Sequence, residues 1–185
     1  ININKNANKT PVEISDEMSY VINKSLEYSD LSKGYFDISI GPLVKLWGIG
    51  SENAKLPTQE EINNVLPKIN YKDILLKNSQ VTLKNSGMIL DLGAIAKGYA
   101  TDEVVGYLKS IDVKRAVIDL GGNLYALGSK DESTPWSIGI QNPFYETRGN
   151  YLGILKVSDK SVVTSGVYER FYEKDNKRYH HILNP

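Results

Sequence analysis

The chain has 185 residues, 41% of them hydrophobic, and 22 Lys and Arg against 22 Asp and Glu. That length supports one domain with a sizeable core, and the balanced charge argues against nucleic acid or an anionic membrane surface as the main partner. Without cysteine there is no disulfide framework and no thiolate metal site, and no apolar run approaches the roughly 18 residues of a spanning helix.

Residues 1–15 are polar and Asn-rich and read as a loop or edge strand. The chain does not start with Met, and "ININKNANKT" lacks a signal-peptide pattern, so we expect the middle of a longer protein. A helix is predicted after a Ser15 cap, with Met18, Val21, Ile22, Leu26 and Leu31 on its inner face. "GYFDISIGPLVKLWGIG" is apolar, aromatic and broken by glycines, which predicts strand plus loop rather than regular helix. Thr58 and the acidic residues after it mark a short capped helix in "TQEEINNVLPKI". Two or three short strands follow in "DILLKNSQVTLKNSGMILDLG". A helix is then predicted over 94–110, with Ile95, Tyr99, Val105 and Leu108 inward. The remainder reads as strands, including a pair around the Gly-Gly turn of "RAVIDLGGNLYALGS" and a last pair joined at Lys-Asp-Asn-Lys. Hairpin-connected strands on either side of the helices predict an α+β fold of mostly antiparallel sheets packed with a few helices.

The stretch "DLGAIAKGYATDE" has more bare backbone than a packing helix needs. A strand, a Gly-bearing turn and a helix start present free N–H groups and partial positive charge, which suits an anion such as a pyrophosphate. Lys97 lies one turn in and adds charge; the plainer alternative makes Asp91 a cap and leaves Lys97 in water. "DLGGN" is a second Gly-rich turn, and "TSG" brings Thr164 and Ser165 to a strand end, a composition that suits phosphate contact or any turn. His180 and His181 are the only histidines, and neighbours on a strand point to opposite faces, so one of them at most enters a given site. "GYFD" sets aromatic rings beside a carboxylate, as ring stacking or core packing requires. Together these features suit a dinucleotide with a divalent metal, and oxygen ligands without thiolates favour Mg²⁺ over Zn²⁺.

Four blocks, "GYFDISIGPLVKLWGIG", "LDLGAIAKGYATDEV", "VIDLGGNLYALG" and "VVTSGVYERFYEKDNKRYHHILNP", give the chain a strong resemblance to the ApbE family of FAD:protein FMN transferases. The opening "INKNA" is similar to an early Ile-Asn element of that family. The resemblance implies a T-fold-like α+β architecture, with residues 1–185 forming a single flavin transferase domain. It implies Mg²⁺-dependent transfer of FMN from FAD to a threonine hydroxyl of a flavoprotein, with release of AMP. Acceptors would be flavoprotein subunits of membrane electron-transfer complexes, and the enzyme would be an extracytoplasmic, membrane-anchored lipoprotein. Two alternatives stay open: an Mg²⁺-dependent FAD pyrophosphatase and a non-catalytic flavin-binding protein.

Position by position, the resemblance implies FAD contacts at Tyr35, Phe36, Asp37, Asp91, Lys97 and Leu183, with Thr164 and Ser165 near the phosphates. It places a metal ligand at Ala94, which offers only its backbone carbonyl. Under that resemblance the general base would be His181 or Asp91. The family's N-terminal lipoprotein segment and its C-terminal acidic metal-ligand element have no counterpart in these residues.

Overall fold

The computed structural model describes residues 2–144, 149–167 and 170–185. In chain order the elements are α1 (Asn2–Lys5), β1 (Val12–Glu13), α2 (Asp16–Leu31), α3 (Gly41–Trp47), α4 (Gln59–Val65), β2 (Ile74–Lys77) and β3 (Gln80–Leu83). There follow α5 (Ala96–Ser110), β4 (Ala116–Asp119), β5 (Asn123–Leu127), β6 (Trp136–Gln141), β7 (Tyr151–Val157), β8 (Lys160–Val163), β9 (Phe171–Lys174) and β10 (Lys177–His180). Every strand ladder is antiparallel, so the fold is α+β as expected. The chain forms two compact units, Ile1–Ile95 with Glu169–Pro185, and Ala96–Tyr168.

The first unit is built on a sheet of order β1-β3-β2 and on the β9–β10 hairpin. Asn78 and Ser79 both take positive φ (50° and 55°), and so do Asp175 and Asn176 (53° and 58°). Turns of that hand match the twist of the flanking strands, and short polar residues tolerate them best. The core gathers Ile3, Ile22, Ile38, Ile74, Val81, Leu83, Met88 and Leu90. Ser15 caps α2 by accepting from the Met18 N–H, as expected. Leu31, however, is 70% exposed, while Ser25 and Ser29 are fully buried. Each serine hydroxyl donates to the carbonyl four residues back, so its polarity is satisfied inside the helix and it packs like a small apolar group.

Residues 41–47 are helix, where strand plus loop was expected. Pro42 sits in the first turn, where its missing N–H is harmless, and Gly48 closes the helix in the left-handed region at φ 59°. Thr58 and Glu61 form the reciprocal capping box that starts α4. Residues 2–5 are a short helix, and only Val12–Glu13 forms the edge strand expected near the start.

The second unit packs α5 on a sheet of order β4-β5-β8, and carries the β6–β7 hairpin. Its core is Val105, Ile118 and Leu127, supported by Leu108, Val113 and Tyr125. The helix starts at Ala96 rather than at 94, because Leu92–Ile95 form a turn ahead of it, closed by the Ile95 N–H on the Leu92 carbonyl. Gly106 lies exposed on α5, and a Cβ added there meets nothing within 4 Å. Gly106→Ala is therefore expected to raise the unfolding free energy by about 0.5–1 kcal/mol, read as a higher denaturant midpoint at unchanged slope.

Candidate functional site

In the first unit the "GYFD" motif is held by its own carboxylate. Asp37 Oδ1 accepts from both the backbone N–H and the hydroxyl of Ser39 at 2.7 Å, and Oδ2 accepts from the Tyr71 N–H at 3.0 Å. Ser39 Oγ also accepts from the Asn70 N–H, which ties residues 37–39 to residues 70–71. The Tyr71 hydroxyl donates to Asp30 at 2.9 Å, and this bond to a carboxylate holds the phenol above its ordinary pKa. Phe36 is half-buried and meets the Tyr28 ring edge-on at 6.5 Å, whereas Tyr35 is 78% exposed. Of the two rings expected to contact a ligand, Phe36 is committed to packing and Tyr35 is open.

Asp91 lies beside this motif. Its N–H donates to the Ile38 carbonyl at 2.8 Å, and its Oδ1 accepts from Gly93 N–H at 2.7 Å. The carboxylate thus shapes the turn ahead of α5. The preceding residue is clamped by Asn4, whose side-chain amide accepts from Leu90 N–H at 2.8 Å and donates to Leu90 O at 3.1 Å. Sequence reasoning passed over Asn4 as a structural anchor, although the Ile-Asn element was its signal. Ala94 is exposed in the same turn. Among the described residues no group of three or more His, Asp or Glu is arranged to hold a metal.

The histidine pair divides its roles. β10 ends at His180, so His181 lies just past the strand rather than on its opposite face. His181 is anchored to Arg170: its N–H donates to the Arg170 carbonyl at 3.2 Å, and Nδ1 lies 3.3 Å from the same oxygen. With Nδ1 carrying the proton toward that carbonyl, Nε2 is left as the basic nitrogen. His180 instead lines a cleft of about 410 Å³ together with Leu43, Trp47, Tyr179 and Leu183. Trp47 and Tyr179 contact each other there, with centroids 5.5 Å apart. Leu183 lies in the lining of the same cleft.

In the second unit three separate sequence signals converge. Lys97 Nζ donates to the Gly121 carbonyl at 2.8 Å, so it is tied to the "DLGGN" turn rather than free in water. Gly121 and Gly122 have φ of 61° and 84°, a hand that a side chain rarely adopts. The turn is closed by Gly122 N–H on Asp119 Oδ1 at 3.0 Å and by Leu120 N–H on the Asn123 carbonyl. Thr164 joins it through its N–H, which donates to the Gly122 carbonyl at 3.2 Å, and Ser165 follows, exposed. An ammonium, a glycine turn, the Asp119 carboxylate and two exposed hydroxyl side chains make a polar cradle.

A sequence model described as the ApbE family matches residues 1–185. A protein of Klebsiella pneumoniae (strain 342) named FAD:protein FMN transferase is 40% identical over 187 residues, covering 100% of this chain and 57% of that protein. A protein of the same name from Treponema pallidum (strain Nichols) is 35% identical over 198 residues, covering 99% of this chain and 54% of that one. Among solved structures, an ApbE protein from Thermotoga maritima has a TM-score of 0.91 at 34% identity, covering 99% of this chain and 59% of its own. The flavin transferase ApbE from Vibrio cholerae has a TM-score of 0.83 at 28% identity, covering 99% of this chain and 58% of its own. The chain spans a little over half the length of these relatives. With a match that runs its whole length and the motif residues held as described, the chain belongs to the ApbE family.

Proposed function

We propose that this chain is part of an FAD:protein FMN transferase that moves FMN from FAD to a threonine hydroxyl of a flavoprotein and releases AMP. The observation that carries the reading is the cradle of Lys97, the Gly121–Gly122 turn and Thr164, in a chain whose relatives bear that name. Flavoprotein subunits of membrane electron-transfer complexes as acceptors, and an anchored extracytoplasmic location, belong to the same proposal.

Lys97 receives phosphate charge, and the adjacent glycines let phosphate oxygens approach the backbone without meeting a Cβ. The threonine oxygen attacks the flavin-side phosphorus, a new P–O bond forms, and the P–O bond to AMP breaks. His181 takes the hydroxyl proton on Nε2; its Nδ1 contact with the Arg170 carbonyl supports this tautomer. Asp91 keeps the turn before α5 in shape, since its carboxylate already accepts from Gly93 N–H. The described residues do not by themselves close a metal site. Of the expected donors they offer the Ala94 carbonyl, a hard oxygen suited to Mg²⁺. When bound, Mg²⁺ would supply charge neutralisation at the diphosphate.

The test is a product assay with FAD, Mg²⁺ and a threonine-bearing acceptor. The expected result is a fluorescent acceptor band on a denaturing gel, with one AMP formed per flavin attached. FMN and AMP released without a band would make the activity FAD hydrolysis, and FAD retained intact would make the chain a flavin carrier.

A further inference from the structure

We propose that Thr101 and Asn123 are positioning residues for Lys97, holding its ammonium and the glycine turn as one rigid unit before any anion arrives. The inference rests on the reading that Lys97 receives the diphosphate of FAD. A lysine stem is flexible, and a single bond to Gly121 O does not by itself fix where the charge is presented. One helical turn beyond Lys97, Thr101 makes a second tie. Its hydroxyl donates to the Lys97 carbonyl at 2.9 Å and to Asn123 Oδ1 at 3.2 Å, as a three-centre bond. Residues 97 and 101 on α5 are thereby fastened to residues 121 and 123 of the facing turn, like two rungs.

Burial argues that this link is specific. Thr101 is 2% and Asn123 8% exposed, in a small core where valine or leucine would add apolar contact without a polar penalty. Polar groups kept in such a place fix one arrangement of the elements around them. Asn123 also pairs with Val163 in the β5–β8 ladder, and its carbonyl closes the glycine turn. A Cβ added at Gly98 comes to 3.8 Å from Asn123 Nδ2, so helix and turn are in close approach between the two rungs. One residue thus joins the three: the Asn123 side chain bonds the helix carrying Lys97, while its backbone closes the glycine turn and pairs with the strand leading to Thr164.

The experiment is steady-state kinetics of flavin transfer on Thr101→Val, Thr101→Ser, Lys97→Met and the Thr101→Val/Lys97→Met double variant. Valine keeps the shape and removes the hydroxyl. Thr101→Val is expected to raise KM for FAD about tenfold with kcat within about twofold, since the bond it removes orders a binding group rather than a reacting one. Thr101→Ser should restore the parent KM, and the double variant should match Lys97→Met alone, because Thr101 acts only through that lysine. If Thr101→Val does not fold, Asn123→Ala is read by the same split. An unchanged KM in Thr101→Val, or multiplied effects in the double variant, overturns the proposal while a raised KM in Lys97→Met keeps the diphosphate reading. An unchanged KM in Lys97→Met sinks that reading, and this inference with it.

Discussion

His181→Ala is expected to slow FMN transfer by about 10²–10⁴-fold, the usual contribution of a positioned general base, while binding of FAD changes little. The neighbouring histidine provides the control. His180 lines the Trp47–Tyr179 cleft and its Nδ1 accepts from the Ile182 N–H, so its ring is differently employed. His180→Ala should weaken flavin affinity more than it lowers kcat. Single-turnover transfer at saturating FAD separates the two, because it reads the chemical step alone. The tautomer argument adds a second expectation. If Nε2 is the base, His181→Gln, which retains a donor for the Arg170 carbonyl but lacks a titratable nitrogen, should be as slow as the alanine variant. Parental turnover in either His181 variant would remove the residue from the proton transfer.

Gly41→Ala is expected to lower stability by about 2–3 kcal/mol, as overpacking of a tight contact does, and the melting midpoint by roughly 5–10 °C for a chain of this size. Gly41 is not in the left-handed region, so space alone sets the effect. A Cβ there would strike the Ile89 carbonyl oxygen and lie 2.6 Å from Ile89 Cγ2. The nearest obstacle is a backbone oxygen, which has little freedom to move. Gly41 N–H donates to that carbonyl at 3.1 Å, and Ile40 makes a parallel bridge with Ile89. Pushing these segments apart strains the Asp91 N–H bond to the Ile38 carbonyl, so the substitution should also depress activity. Circular dichroism melts of the two proteins decide the matter, and an unchanged midpoint would show that the segments can separate freely.

The parts of this structure that the sequence announces are those decided within a few residues. Ser15 and Thr58 cap helices through bonds spanning three positions, and Lys-Asp-Asn-Lys turns where two short polar residues can take positive φ. α3 was missed because, Lys45 apart, its short run is apolar and bounded by Gly41 and Gly48, a composition shared by buried strands. Ser25 and Ser29 were missed because a hydroxyl that bonds back to its own helix hides its polarity. The candidate site divides along the same line. Lys97, Asp91, Thr164 and the glycine turn were singled out one at a time from local composition. The bond of Lys97 to a carbonyl 24 residues away, and Asn4 reaching Leu90 across 86, follow from tertiary packing that no short window contains.

Asp37 shows what such wiring means for reading mutants. Both its oxygens already serve the protein's own N–H and O–H groups at Ser39 and Tyr71. Exchange for asparagine puts a donor where an acceptor is required, so the segment from Phe36 to Ser39 would relax before any substrate is consulted. An inactive variant at this position would then testify to a bent scaffold, and its flavin affinity would be the wrong quantity from which to infer a direct touch.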